Sequence, residues 1–495
     1  MTGMSSAETD QKKEKLQELK IKTLTLEPDS EQRRWLGKIA DEYAERFYAD
    51  IQDGKAYRTF DDCIKKKSAM PVPETGVGAG EVVNILENEI IPPGLNLASG
   101  RHFGYIPGGG IHSAAIADYL AAVTNRYASV YSSSPGAAVL EANMVQWLCS
   151  VIGYGEGAGG YLSSGGSIAN LTAVVAARDD SGCKAASYSR MVVYLSSQTH
   201  HCVDRALNIA GLGESERRKI SLDDHYRMQP DELRKAIKRD RENGLIPWMI
   251  VASAGSTDTG AVDPLNELAD ICEQEKLWFH VDAAYGGFFI LTDNGKRMLK
   301  GIERSDSAVL DPHKGMFLPY GTGALLVRDV EKLASSHRYE ANYMKDARTE
   351  DGFYSPADIS PELSKHFRAL RMWLPMQLHG VSSFSDALQE KLALADYLWS
   401  EFRAIDEIEV SPKPQLSIFM FRWNPDAENV NELNRQLHKK MVSDGWVFLS
   451  TTEIDGNVFF RVAVLSVRTH IEEADELLMT VRRLIKEMKA SNYVA

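Results

Sequence analysis

Apolar and polar positions follow two distinct rhythms along this chain. Trp35, Ile39, Tyr43, Phe47 and Ile51 recur every four residues, the spacing of one helix face, and Asp29 stands before them as an N-cap. Further on come short continuous apolar runs: Met191-Val192-Val193-Tyr194-Leu195, Trp248-Met249-Ile250-Val251-Ala252 and Trp278-Phe279-His280-Val281. Helical stretches, Pro230 to Arg241 and Leu265 to Lys276, precede the second and third of these. Such alternation predicts an α/β architecture, a mostly parallel sheet with helices on both faces. Ligands of such sheets bind beyond the carboxyl ends of the strands.

The pattern changes towards the C-terminus. Pro361 to about Gly380 predicts a helix, with Pro375 in its interior as the expected point of kinking. Strands are expected at Leu416 to Phe421 and Val458 to Val464, followed by a closing helix. Thr469 and Glu472 have the spacing of a capping box for it. The expected organisation is therefore an N-terminal helical segment over 1–96, a large α/β domain over 97–360 and a small α+β domain over 361–495.

Composition narrows the partners. A formal charge of −13 argues against nucleic acid as a ligand. No apolar run approaches a membrane span, and the polar stretch Met1 to Leu26 lacks a secretory apolar core. The five cysteines are scattered without CxxC spacing, which suits reduced thiols and a cytoplasmic location.

Two short stretches carry the candidate chemistry. Asp282 ends an apolar strand and is followed by Ala283, Ala284, Gly286 and Gly287, small residues that let a flat ligand approach the backbone. Its carboxylate needs a cationic or hydrogen-bonding partner; a helix cap or an ion pair would serve, as would a pyridinium nitrogen. Lys314 lies in Asp311-Pro312-His313-Lys314-Gly315. A lysine there is ordinarily exposed; one partly desolvated and held near cations has a lowered pKa and attacks carbonyls. Ser163-Ser164-Gly165-Gly166-Ser167 leads into a helix, an arrangement that favours an anion. The Gly155 to Gly160 run instead precedes strand-like Tyr161-Leu162, which argues against a dinucleotide fingerprint. His200, His201 and Cys202 have no second ligand cluster, so no metal site is assigned; an imidazole lying on an aromatic cofactor is the better use.

Taken together, these motifs resemble the group II pyridoxal-phosphate-dependent amino-acid decarboxylases, the family of aromatic L-amino-acid, glutamate and histidine decarboxylases. The likeness rests on His280-Val281-Asp282-Ala283-Ala284-Tyr285-Gly286-Gly287 paired with Asp311-Pro312-His313-Lys314. It implies the aminotransferase-like fold (type I) with a seven-stranded sheet, and pyridoxal 5'-phosphate as cofactor. By resemblance, Lys314 carries the cofactor, Asp282 pairs with its ring nitrogen and His200 stacks on the ring. Gly165, Gly166 and Ser167 match the phosphate turn. Thr257 matches a cofactor contact, Ala284 packs against the ring, and Ser307, Asp311 and His313 match positions near the phosphate or the lysine. Tyr343 matches a mobile-loop tyrosine that reprotonates the substrate carbon; aldehyde-forming relatives typically carry phenylalanine there. Tyr105, Pro107 and Gly108 fall in a segment resembling the substrate pocket of the aromatic-acting members. The resemblance further implies a homodimer with sites at the interface and an amino-acid substrate. Two positions depart from the pattern: Gly315 replaces a bulky aromatic and Ile168 a glutamate.

Overall fold

The protein is described by a computed structural model covering residues 6–59, 72–338 and 354–491. Two compact units emerge, Met1–Gly54 with Arg58–Leu95, and Lys55–Tyr57 with Asn96–Ala495. In the first, α1 (Ser6–Thr23) buries no residue, and α2 (Ser30–Asp53) carries the predicted aromatic stripe. The Asp29 carboxylate accepts the Glu31 and Gln32 N–H groups at 2.9 Å, and the Gln32 side chain accepts the Asp29 N–H in return. This satisfies amides that a helix start otherwise leaves bare. Ile51 is buried, whereas Trp35 remains 53% exposed.

In the second unit, seven strands form one sheet: β1 (Gly159–Ser163), β2 (Met191–Ser196), β3 (Glu216–Ile220), β4 (Ile246–Ser253), β5 (Trp278–Asp282), β6 (Ser307–Leu310) and β7 (Gly323–Val327). Their order is β1-β7-β6-β5-β4-β2-β3, with only β7 running antiparallel to its neighbours. Alternation along each strand splits the core between the two faces. Val192 and Tyr194 of β2 join one cluster with helix α4 (Pro135–Ile152), while Met191, Val193 and Leu195 join the other with α5 (Gly166–Asp180). Each fully buried aliphatic side chain contributes about 1.5–3 kcal/mol of transfer free energy. Edge strand β3 is the polar exception, Glu216-Arg217-Arg218-Lys219-Ile220, whose charges blunt an open sheet edge.

A four-stranded antiparallel sheet follows, with β8 (Ile408–Val410), β9 (Ile418–Trp423), β10 (Ser450–Ile454) and β11 (Asn457–Ala463) in the order β8-β9-β11-β10. Phe421 stacks between Phe402, at 4.2 Å, and Phe460, at 5.1 Å, and thereby joins the sheet to a long helix. Two expectations are corrected here. That helix spans Arg368–Arg403, and its irregular point is Gly380, at φ 70° and ψ 159°, not Pro375. A positive φ with extended ψ is open to glycine and costly to other residues, so the glycine sets the break. The closing helix, Ile471–Ala490, is boxed by His470 and Glu473, one residue later than Thr469 and Glu472. Thr469 is buried and donates its hydroxyl to the Gly100 carbonyl instead. No helix among the described residues is long and apolar enough to cross a membrane.

Candidate active site

Strands β1, β2, β4, β5 and β6 all end on one edge of the sheet, and the segments leaving them enclose a cavity of about 390 Å³. The cavity brings together Gly165, Gly166 and Ser167 after β1, His200 after β2 and Thr257 after β4. From β5 and β6 it takes Asp282, Ala284, Asp311, His313 and Lys314. A parallel sheet explains the meeting of residues so distant in sequence, because each connection restarts at the same edge.

Lys314 sits in a one-turn helix, Pro312–Gly315, its Nζ 3.0 Å from Asp311 Oδ2. Burial pulls the amine's pKa down, but the Asp311 contact and the charge of Asp282 outweigh it, and the net direction is up. The lowered pKa expected from nearby cations is therefore reversed: the closest charges are carboxylates. His313 Nδ1 donates to the Thr322 carbonyl at 2.6 Å, which leaves Nε2 as the bare nitrogen, and burial lowers its pKa. His200 Nδ1 accepts the Cys202 N–H at 3.3 Å, and burial likewise lowers this imidazole. Both rings are thus favoured as neutral imidazoles.

Several features fit pyridoxal phosphate. Helix α5 has no side-chain cap, and the Gly166 and Ser167 amides are without a partner among the described residues, as an external anion requires. A Cβ on Gly166 would lie 3.0 Å from Asp311 Oδ2 and 3.3 Å from the Ala284 Cβ, so a side chain there would crowd the turn. Asp311 Oδ1 is buried without a hydrogen-bond partner, an acceptor left over for a bound group. Asp282 accepts the Ala284 N–H on Oδ1 and the Asn170 amide on Oδ2. The residues that would hold the cofactor are therefore Lys314, Asp282 and the start of α5.

Not every expected residue lies on this wall. Ser307 is fully buried at the start of β6, where its Oγ meets the Trp278 indole and the His280 ring. Tyr105, Pro107 and Gly108 do not line the cavity. Gly108 instead packs behind it, where an added Cβ would lie 2.6 Å from the His313 carbonyl oxygen. Tyr343 lies outside the described residues. Conversely, Asn170, Gln198, Cys202, Ser256 and Tyr320 line the cavity without having been singled out as contacts. Asn170 had a usable signal: four residues after Gly166, it shares that glycine's helix face.

Fold and cavity together define an enzyme of the class that works through pyridoxal phosphate. The chain belongs to the pyridoxal-dependent decarboxylase family, whose conserved-domain model matches residues 80–424. An aromatic-L-amino-acid decarboxylase from Bacillus atrophaeus is 34% identical over 472 residues, 94% of this chain and 98% of that protein. An acidic amino acid decarboxylase from Xenopus tropicalis is 28% identical, covering 86% of each chain. A phenylacetaldehyde synthase from Arabidopsis thaliana is 26% identical over 91% of this chain and 96% of its own. Among solved structures, Oryza sativa TDC with PLP and tryptamine superimposes with a TM-score of 0.88 at 24% identity, covering 93% of this chain and 99% of that one. The protein is a pyridoxal-phosphate-dependent amino-acid decarboxylase with the aminotransferase-like fold.

The Lys314–Asp311 pair can be probed directly. In cofactor-free protein, acylation of Lys314 by an amine-directed reagent, read by peptide mass spectrometry, is expected to rise roughly tenfold per pH unit below its pKa. Asp311→Asn removes the counter-charge, lowers the amine's pKa and should speed labelling several-fold at neutral pH. An unchanged rate would show that Asp311 does not hold the proton on the amine.

Proposed function

We propose that this enzyme decarboxylates an aromatic L-amino acid, releasing carbon dioxide and the corresponding amine. The observation that carries the reading is the convergence of Lys314, Asp282 and the uncapped start of α5 on one cavity. The 34% identity to an aromatic-acting relative supports the substrate class. When bound, pyridoxal phosphate supplies an electron sink for the charge left by the departing carboxylate.

The chain's own residues supply the rest. Lys314 is the amine that would hold the cofactor. Asp282 would pair with the cofactor's ring nitrogen, and neutral His200 would stack on its ring. Gly166 and Ser167 would take the phosphate on bare amides and Gly165 would shape the turn, its own N–H donating to Ser163 Oγ at 3.2 Å, with Thr257, Ala284 and Asp311 completing the wall. His313, its Nε2 free and 3.6 Å from Asp311, can accept or pass a proton beside Lys314. Tyr343 is the general acid that returns a proton to the substrate carbon. Tyr105 is assigned to an aromatic side chain on the resemblance; it stands off the cavity wall, its ring 6.0 Å from Phe448 at 28°, with Tyr57 on Phe448 at 5.7 Å.

The working assembly is a homodimer. Trp35 and Leu36 on α2, and Ile116, Tyr119, Leu120 and Val123 on helix α3 (His112–Thr124), are exposed in the single chain. Apolar groups of that density suit a protein partner. Sedimentation of the active enzyme should give twice the chain mass; a fully active monomer would remove this assignment.

A panel of all common amino acids, scored for carbon dioxide and amine, tests the substrate. Aromatic L-amino acids should be turned over and acidic ones not, while Lys314→Ala should abolish turnover; the opposite preference would overturn the substrate class. With dioxygen and water as co-reactants, Tyr343→Phe should exchange amine for aldehyde, ammonia and hydrogen peroxide. Undiminished amine from that variant would exclude Tyr343 as the proton donor.

A further inference from the structure

We infer that Trp278, Ser307, His280 and Asn170 form a one-directional chain of hydrogen bonds that positions the Asp282 carboxylate, with neutral His280 protonated at Nε2 as its middle link. The inference rests on the reading of Asp282 as the partner of the cofactor's ring nitrogen, and it assigns positioning residues behind that group.

The chain is set by strand register. Trp278, His280 and Asp282 alternate along β5 and so share one face of the sheet, the face that packs on α5. Parallel pairing places Ser307 of β6 opposite His280, and Asn170 is buried on α5. Four contacts then link the indole to the carboxylate. Trp278 Nε1 is 2.8 Å from Ser307 Oγ, which is 2.7 Å from His280 Nδ1; His280 Nε2 is 2.7 Å from Asn170 Oδ1, and Asn170 Nδ2 is 3.2 Å from Asp282 Oδ2.

Both ends fix the direction of every proton. An indole N–H can only donate, so Ser307 Oγ accepts it and keeps its own hydrogen for a bare His280 Nδ1. At the other end the Asn170 amide lies 2.9 Å from the Gly166 carbonyl oxygen, which can only accept. The NH2 must face Gly166 and Asp282, so Oδ1 faces His280 and Nε2 must carry the hydrogen. This requires the neutral Nε2–H tautomer. Burial agrees, pushing His280 down to about 4. Trp278, Ser307, His280 and Asn170 are all nearly or wholly buried, so water offers no alternative partners. Bonds that all point one way polarise one another, and their sum falls on a single carboxylate oxygen. Asn170 also lends its amide to the Gly166 carbonyl, so the same side chain ties the phosphate turn to Asp282.

The test combines a spectrum with three variants. In ¹⁵N-histidine-labelled cofactor-free protein, the His280 signals, assigned with His280→Gln, should show Nε2–H and bare Nδ1 and should not titrate across the neutral range. In the holoenzyme, His280→Phe should lower kcat about 10- to 100-fold with KM within about twofold. His280→Gln, whose amide can donate to Asn170 and accept from Ser307, should recover most of that loss. Ser307→Ala should leave Nε2–H in place, because Asn170 Oδ1 still fixes it, and shift the Nδ1 signal, which loses its donor. A His280 signal with Nδ1–H, or a doubly protonated ring, would overturn the chain even if a variant fails to fold. Full kcat in His280→Phe alongside an inactive Asp282→Ala would overturn the chain alone. Full kcat in Asp282→Ala would overturn the reading beneath it as well.

Discussion

The ion pair between Lys314 and Asp311 is the contact around which the cavity is built. An ammonium and a carboxylate placed 3.0 Å apart, with the carboxylate 2% exposed, are costly to desolvate and must be held in a fixed geometry. The loop carrying them is braced accordingly. The Asp311 N–H reaches Ala284, and both the His313 N–H and its Nδ1 reach the Thr322 carbonyl. Arg371 in turn holds the Tyr320 carbonyl and the Thr322 hydroxyl, each at 2.9 Å, and is itself paired with Asp118. Removing Asp311 therefore alters charge inside a frame whose backbone is secured elsewhere.

The same crowding fixes the glycines. A Cβ on Gly323 would sit 2.6 Å from Gly165 Cα and 2.7 Å from Asp311 Oδ1, so three segments converge only because two of them lack side chains. At Gly315 an added Cβ would lie 2.6 Å from the Phe288 Cβ. Phe288 fills the space that a bulky residue at 315 would need. That departure from the family pattern is a local packing exchange beneath the lysine, with no cavity-facing group lost.

Much of this was legible in the sequence because a parallel sheet converts chain order into spatial convergence. Continuous apolar runs marked β2, β4 and β5, and residues just beyond strand ends arrived at the cavity. The failures have equally physical causes. Strand β3 went unmarked because its side chains are mostly charged, half of an edge strand facing water. The helix break was placed at Pro375, but a proline can be tolerated within a helix whereas the Gly380 backbone leaves helical space altogether. Ser307 was matched by resemblance to a position near the phosphate or the lysine; strand alternation turned it inward, where it meets Trp278 and His280. Side-chain direction, unlike strand existence, depends on register that one sequence does not display.

Ile168 bears on the substrate differently from the way the sequence suggested. A glutamate in the first turn of α5 would stabilise the helix's positive end and compete with any anion placed there. Isoleucine leaves that end uncompensated beside the bare Gly166 and Ser167 amides, which under the proposed function would strengthen a phosphate site there. It lines the cavity, yet its consequence is for cofactor retention. With Gly315 assigned to packing and Ile168 to the anion site, neither departure weakens the resemblance to aromatic-acting relatives. Discrimination between a ring and a carboxylate must then come from groups that can meet the substrate's far end.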